Sequence, residues 1–485
     1  MKDKVLDIAK RRGFIWGPSP NIYSGGVSGF YDWGPLGKLL KNKVESIIRK
    51  TFSSYNFWEV ECPTIMPKSV WEASGHYENF TDPITKCLKC KLTYRADDLI
   101  KELYPKEKVD GLNEEQLTKL IEKKQIKCPK CKSSLSDVNT YNLMMKTTVG
   151  SNTEAFLRPE TATTTYLLYP EYYRFFRTKL PFGVFQIGKA YRNEISPRQH
   201  VLRTREFTQA EAQLFILPDQ EKDFDKFKEI EKEKLPLMPY GKTRKITSLK
   251  QAISKKLIKK EAYAYCIYIA YEIAKQLFDE SKIRLRQHNP KEMSHYADDA
   301  WDLEIETERF GWFEVCGIHD RTGYDLKRHS EFARIKLEKP ANILEIAFGL
   351  ERPTYSLLET AFKEDKIRSW LQFPLGLSPI DVAIFPLVKK DKLPEKAKEV
   401  FTQVERDFVA IYDEAGSIGK MYRRMDEIGT TLTCTIDHQT LKDNTVTLRE
   451  ITSMQQIRVK VEDLNDIIKK ILTKELEFKK AGKLI

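Results

Sequence analysis

Two periods run through the apolar positions of this chain. In KLLKNKVESIIRKTF (Lys38–Phe52) apolar residues recur every three or four positions, which predicts an amphipathic helix. FWEVECPTIMPKSVW (Phe57–Trp71) reads as strand interrupted at Pro63, because proline removes a ladder donor and fits only an edge or a strand end. Strand pattern resumes in NLMMKTTVG, and TATTTYLLYPEYYRFF predicts a helix. AWDLEIET and GWFEVCGIHDR alternate like antiparallel strands. ANILEIAFGLERPTYSLLETAF predicts a strand that turns at glycine into a helix. Ahead of all these, Gly13–Gly37 is rich in Gly, Pro and aromatics and reads as a packed loop region.

The pattern changes near residue 375. Beyond it an apolar strand, a helix (EKAKEVFTQVERDFVAIY), a strand (TLTCTI) and a last helix (EDLNDIIKKIL) alternate. That succession predicts a separate mixed α/β domain over 376–485, after a larger α+β domain over 1–375. Two stretches look like insertions in the larger domain. One, about 86–139, carries two Cys-x-x-Cys pairs around a helical, charged middle. The other, about 217–281, is lysine-rich with helical patterns in KFKEIEKEK and AYCIYIAYEIAKQLF; it is read as a tRNA contact or as a solvated face.

Composition narrows the picture only at one point. The net charge is +12, from 82 Lys and Arg against 70 Asp and Glu. This balance fits a polyanionic partner such as nucleic acid, or a lysine-rich composition without one. No stretch approaches the roughly 18 apolar residues of a membrane span, and the charged N-terminus lacks the apolar core of a signal peptide. A cytoplasmic protein with reduced cysteines is the expectation.

The segment Phe185–Phe215, FQIGKAYRNEISPRQHVLRTREFTQAEAQLF, sets Arg192, Arg203, Glu194, Glu206 and Glu211 among apolar strand positions. Buried charge is costly unless paired. Either neighbouring strands pair these charges, or a polar ligand does. Arg192 and Arg203 suit phosphate oxygens, since a guanidinium offers donors in a fixed fork, and the glutamates suit an ammonium or an exocyclic amine. Cys87, Cys90, Cys128 and Cys131 have the spacing of a four-thiolate zinc site, with reduced free thiols or a lost metal as the alternatives. Cys62, Cys266, Cys316 and Cys434 stand singly and are read as core residues; His76 and His295 are read as structural or substrate-adjacent.

The strand–loop–strand around Arg192 resembles motif 2 of the class II aminoacyl-tRNA synthetases. LEIAFGLERPTYSLLE, with Gly349 and Arg352, resembles motif 3, and NFWEVECPTIMP, with Pro63, resembles the first motif, at a dimer interface. IYSGGVSGFYDWGPLG, SGHYENFTD, YRADDLI, AFLRPETA, YRNEISPR, REFTQAE, HYADDAWD and YDEAGSIGKMYRRMDEIGT follow in order from Ile22 to Thr430. Together they resemble the glycyl-tRNA synthetases of the homodimeric archaeal and eukaryotic type.

The resemblance implies a class II antiparallel catalytic sheet, a C-terminal anticodon-binding domain, a homodimer, and ATP, Mg²⁺, glycine and tRNA(Gly) as the molecules it handles. It places Arg192 on the ATP α-phosphate, with Asn193, Glu194, Leu202, Arg203, Thr204, Val315 and Gly349 around the nucleotide. Phe207 and Arg352 are to stack on opposite faces of the adenine. Glu314 is to hold Mg²⁺, and Arg321 to clamp the outer phosphates; Arg192, Glu194, Arg321 and Arg352 form the implied catalytic set. Glu160, Glu211 and Glu345 are to surround glycine, with Arg95, Phe207, Gln209 and Ala347. Two departures stand out: Glu345-Ile346-Ala347 where many relatives have Glu-Pro-Ser, and Thr163-Thr164 where many have Gln-Gly. A non-catalytic relative that binds nucleic acid would be expected to lose the ATP arginines. A synthetase for another small amino acid would not need three carboxylates.

Overall fold

The computed structural model describes residues 4–485 except 24, 110, 196, 198–199, 291–292, 294–296 and 367. His295 therefore lies outside the described residues. The centre is a nine-stranded sheet: β1 (Phe57–Glu59), β2 (Phe182–Tyr191), β3 (Glu206–Ile216), β4 (Lys234–Met238), β5 (Lys245–Ser248), β6 (Ile283–Gln287), β7 (Asp299–Thr307), β8 (Gly311–Thr322) and β9 (Asn342–Gly349). Its order is β5-β4-β6-β7-β8-β9-β3-β2-β1. All neighbours are antiparallel except β4 with β6 and β2 with β1.

One face of this sheet is apolar and packs on helices. Helix Pro35–Ser54 starts with proline in its first turn and buries Leu40, Val44, Ile48 and Phe52 at fourfold spacing. Helix Glu261–Leu277 lies beside it and buries residues on every side, Tyr263, Cys266, Ile267, Ala270 and Ile273 among them. A helix apolar all round belongs in a core. The 217–281 stretch supplies β4, β5 and this helix to the fold. Lys260 pins it to β8, with Nζ 2.6 Å from Asp320 Oδ2 and 3.0 Å from Glu221 Oε2.

The proline-interrupted segment splits as expected at Pro63. Phe57–Glu59 pairs at the sheet edge, while Ile65–Pro67 joins a small sheet with Met145–Val149 and Thr153–Leu157. The cysteine-bearing stretch has its own core of Leu99, Ile100, Leu117 and Ile121 under the strands Thr81–Lys86, Thr93–Arg95 and Asn139–Asn142.

A second sheet holds β10 (Val382–Pro386), β11 (Ala410–Tyr412), β12 (Leu432–Ile436), β13 (Thr445–Glu450), β14 (Gln456–Lys460) and β15 (Lys483–Leu484), ordered β11-β10-β12-β13-β14-β15. Its β10 is parallel to β11 and β12, and the rest is antiparallel. The apolar core does not stop at residue 375: Leu377, Ile380, Phe385 and Met421 belong to the cluster that fills the large sheet. Ion pairs tie the two sheets' surroundings together, Arg368 to Asp426 at 2.6 Å and Lys43 to Asp381 at 2.6 Å. Among the described residues no helix is long and apolar enough to cross a membrane.

Candidate functional site

The polar face of the large sheet forms the floor of a cavity of about 290 Å³. Strand alternation decides what it shows. On β9, Glu345, Ala347 and Gly349 point in, opposite Gly317 and His319 of β8 and Gln209 and Glu211 of β3. Their neighbours Leu344, Ile346 and Phe348 point into the apolar core. The register also sets an axis. Moving along β9 from Glu345 to Gly349 leads to Arg352, and moving back along β3 from Glu211 leads to Phe207 and Thr204. Glu160, Glu211 and Glu345 therefore gather at one end, with Arg321 against them, and Arg192, Arg203 and Arg352 at the other, with Glu194 and Glu314.

At the carboxylate end three glutamates stand together, Glu211 and Glu345 buried and Glu160 partly so, each held differently. Glu160 Oε1 accepts from Thr163 Oγ1 at 2.6 Å, and its Oε2 is 3.4 Å from His76 Nε2. Burial opposes its charge, but His76, Arg321 and Thr163 hold its carboxyl well below the usual range. Glu345 accepts from Tyr166 Oη at 2.6 Å and from His319 Nδ1 at 3.1 Å, and pairs with Arg321 Nη1 at 3.3 Å. Against its burial, Arg321 and His319 keep it below its ordinary value. Glu211 has the Thr161 hydroxyl as its donor. Burial first, then the charges of Glu345 and Glu160, push it up to about 8. Beneath them Arg158 is bonded to the Lys189 and Cys62 carbonyls at 2.8 and 3.0 Å and to Gln186 at 2.9 Å, a buried frame that fixes the floor.

Both threonines that depart from the resemblance take part. Thr163 holds Glu160, and Thr164 Oγ1 donates to the Thr161 carbonyl at 2.8 Å. Ala347 leaves only a methyl on the floor.

At the arginine end, the Arg192 guanidinium lies over Phe207 at 5.3 Å and over Phe80 at 5.4 Å, with Nε bonded to the Pro159 carbonyl at 3.1 Å. Arg203 is half exposed, 3.5 Å from both Glu194 and Asp98. Arg352 Nη1 pairs with Glu314 Oε2 at 2.9 Å and its guanidinium stands over Phe313 at 5.3 Å. Burial disfavours ionised Glu314, yet Arg352, His319 and His288 hold it below its ordinary value. Its partly exposed carboxylate is an oxygen donor of the kind Mg²⁺ takes. Glu351, next to Arg352, accepts the Thr208 N–H at 2.9 Å and an ion pair from buried Lys41, which anchors the motif 3 helix to β3.

The cavity thus collects Glu160, Arg192, Glu194, Leu202, Arg203, Thr204, Phe207, Gln209, Glu211, Glu314, Val315, Arg321, Glu345, Ala347, Gly349 and Arg352. Two nominated residues stand outside it. Arg95 forks onto Asp97 at 2.8 Å and also meets Asp82 at 3.2 Å. The Asn193 amide donates to Tyr141 Oη at 2.7 Å. Arg321 lines the cavity but not as a free clamp. It is 2% exposed, forked onto Asp325 at 2.8 and 2.9 Å, and joined to Glu345. His319, Gly317 and Glu351 line the cavity without having been singled out in the sequence. The signal for His319 was there: in GIHDR it alternates with Gly317 and Arg321 on one strand face.

The four spaced cysteines also converge. Cys87 and Cys131 Sγ are 3.4 Å apart, Cys90 and Cys128 3.6 Å, and all four lie within 4.8 Å of one another. A tetrahedral zinc with sulfur ligands at about 2.3 Å has edges of about 3.8 Å, so the donor set fits that ion. Burial opposes ionisation of Cys128, but the Tyr94 hydroxyl and backbone donors bring it down to about 6. A backbone donor at Leu92 favours the Cys90 thiolate, yet burial and the sulfurs of Cys87 and Cys128 push it up to about 12. Crowded thiolates repel, and a bound cation relieves that repulsion. Asp98 and Tyr141, which touch Arg203 and Asn193, come from this same cysteine-bearing region.

Residues 381–471 match the model of the anticodon binding domain family. Over 97% of its length the chain is 38% identical to a glycine–tRNA ligase of Methanococcus vannielii, of which 99% is covered. The chain belongs to the glycine–tRNA ligase family. Another member, from Methanocaldococcus jannaschii, is 38% identical over 97% of this chain and 99% of its own. A third, from Thermococcus gammatolerans, is 38% identical over 96% and 98%. The fold extends further than the family. A structure described as the RNA binding domain of threonyl-tRNA synthetase from Cryptosporidium parvum superposes with a TM-score of 0.61 at 18% identity, over 96% of this chain and 97% of that one.

Proposed function

We propose that this cavity activates glycine with ATP and passes it to tRNA. The observation that carries the reading is the layout of the cavity, with the Glu160, Glu211 and Glu345 carboxylates at one end and Arg192, Arg203 and Arg352 at the other. Glycine has no side chain to grip. A site for it must hold the ammonium firmly and leave no spare room, and Glu160, Glu211 and Glu345 are assigned to that task with Gln209 and Ala347 beside them. In the first step a glycine carboxylate oxygen attacks the α-phosphorus; a carboxyl–phosphorus bond forms and pyrophosphate leaves. Arg192 is assigned to the α-phosphate charge, and Glu194, Leu202, Arg203, Thr204, Val315 and Gly349 to the nucleotide's surroundings. Phe207 and Arg352 are assigned to the adenine faces. In the second step the terminal ribose hydroxyl of tRNA attacks the glycyl carbonyl and AMP leaves. No side-chain nucleophile is needed, since positioning and charge stabilisation supply the catalysis. Mg²⁺, with Glu314 as its protein ligand, supplies charge neutralisation among the phosphates when bound. Arg321 is assigned to positioning Glu345, because its guanidinium is spent there and on Asp325.

Exchange of labelled pyrophosphate into ATP tests this reading. It should depend on glycine and not on alanine, serine or proline. Exchange driven by one of those instead would overturn it.

The segment 381–471 is assigned to the anticodon loop, whose splayed bases are open to reading. Dimerisation through the edge strand β1 is also proposed. Trp58 there is 51% exposed and meets Phe175, itself 63% exposed, an apolar margin beside an open strand edge. For the cysteine cluster we assign a structural zinc held by Cys87, Cys90, Cys128 and Cys131. Purified protein should carry about one zinc per chain by elemental analysis. Cys128→Ser should lose that zinc and raise the KM for ATP, because Asp98 and Tyr141 brace the nucleotide loop. Zinc-free wild-type protein with an unchanged melting curve and unchanged KM would remove the metal from the account.

A further inference from the structure

His319 lines the cavity and touches its most connected carboxylate, yet none of the roles assigned above falls to it. It sits on β8 directly across from Glu345 on β9. Two residues back, Gly317 sits directly across from Ala347. Nδ1 lies 3.1 Å from Glu345 Oε1 and carries the hydrogen, since a carboxylate only accepts. The ring folds back along the strand over Gly317. A Cβ at residue 317 would come within 2.7 Å of His319 Cε1 and 3.2 Å of Nε2, so only glycine leaves space for the imidazole there. Its partner across the ladder, Ala347, adds only a methyl. Two small residues in register therefore leave low ground in the floor, and the imidazole lies over its Gly317 side. Behind the ring stands His288, edge-on with centroids 6.4 Å apart and with Nε2 2.7 Å from Asp302 Oδ1. Arg321 holds Glu345 as well, so that carboxylate is fixed by both residues.

We propose that His319 is a specificity-determining residue of the amino-acid site, its imidazole lying over Gly317 while Nδ1 fixes Glu345 for the substrate ammonium. This rests on the reading of the carboxylate end as the glycine site. The β-carbon of any larger amino acid is two bonds from its ammonium nitrogen. A group packed against a carboxylate that holds the ammonium therefore stands close to the place a methyl must take. Contact energy alone separates substrates that differ by one methylene by about 10- to 200-fold, and a wall in the methyl's place adds exclusion to that. With only a methyl at Ala347, the ring is a polar and bulky element of this part of the floor.

The test compares glycine and alanine in pyrophosphate exchange for wild type, His319→Ala and His319→Phe. His319→Ala uncovers Gly317 and frees Glu345. Its preference for glycine over alanine, as a ratio of kcat/KM, should fall by about tenfold or more, and the glycine KM should rise more than kcat falls. His319→Phe keeps the bulk and loses the hydrogen bond. It should recover most of the preference while the glycine KM stays raised. A His319→Ala protein with wild-type melting temperature, preference and KM overturns the proposal. So does a His319→Phe protein that loses preference as completely as alanine does. Wild-type exchange that ignores glycine overturns the glycine reading itself, and the proposal with it.

Discussion

Replacing Arg192 with alanine should lower glycine-dependent pyrophosphate exchange by about two orders of magnitude or more, with little effect on folding. The guanidinium sits at the arginine end between two aromatic rings, aimed by one bond to the Pro159 carbonyl. As pyrophosphate leaves, negative charge grows on the α-phosphate oxygens, and a donor already in place stabilises it without reorganisation. Loss of one such donor costs on the order of 3 kcal/mol of barrier, about a hundredfold in rate. The same change removes one hydrogen bond and two cation–aromatic contacts at a partly open site, each worth on the order of 1 kcal/mol, so the melting temperature should move by only a few degrees. Arg192→Lys separates charge from geometry: lysine is a point charge without the fork, and should recover part of the exchange but not all. Near-wild-type exchange by a well-folded Arg192→Ala protein would take this residue out of the chemistry.

The sequence carried the chemistry of the cavity better than its boundaries. Charged residues at alternate positions of apolar strands were visible as an anomaly, and the structure resolves the anomaly both ways. Lys189 and Glu206 form an ordinary pair between β2 and β3 at 2.8 Å, whereas Arg192 and Glu211 face the cavity. Arg321 shows what a sequence hides. The resemblance makes it a phosphate clamp, and the fold adds Asp325, four residues on in the following helix, which reaches back to take the guanidinium. Arg95 is similar: the fold surrounds it with three acidic neighbours, Asp82, Asp97 and Asp98. In the lysine-rich 217–281 stretch the helical pattern of AYCIYIAYEIAKQLF is legible, but its burial on nearly all sides comes from tertiary packing that composition does not show. Past residue 375 the strands belong to the second sheet, yet apolar residues on both sides of that point share one core. For His319 the strand alternation in GIHDR gives the face, but not the partner: Glu345 is 26 residues away and only the fold brings it across.

Glu211→Gln should lower glycine activation by about a hundredfold or more and at the same time stabilise the empty protein. Glu211 is 3% exposed, with the carboxylates of Glu160 and Glu345 near it, and is pushed from an ordinary value of 4.5 up to about 8. Raised in the folded state, this group adds stability that is fully present below about pH 4.5 and is lost as pH rises through about 8. Each unit of that difference is worth on the order of 1.4 kcal/mol, so the loss reaches a few kcal/mol in the alkaline range. Glutamine keeps the shape and the acceptor oxygen but has no proton to lose. The variant should therefore melt a few degrees above wild type at pH 8.5, and the gap should shrink towards pH 5. Activity moves the other way. A glycine ammonium needs the ionised carboxylate, so glycine binding to the wild type must expel a proton below pH 8. Its KM for glycine should fall as pH rises from 6.5 and level off above 8, by at most about tenfold per unit. In Glu211→Gln that slope should vanish, with exchange reduced by about a hundredfold or more because one counter-charge of the ammonium is gone. Calorimetry and exchange kinetics on the same two proteins across this pH range check both halves. A variant that melts no higher than wild type at pH 8.5, or that keeps the wild-type KM slope, would show that Glu211 is not the proton-bearing member of the trio.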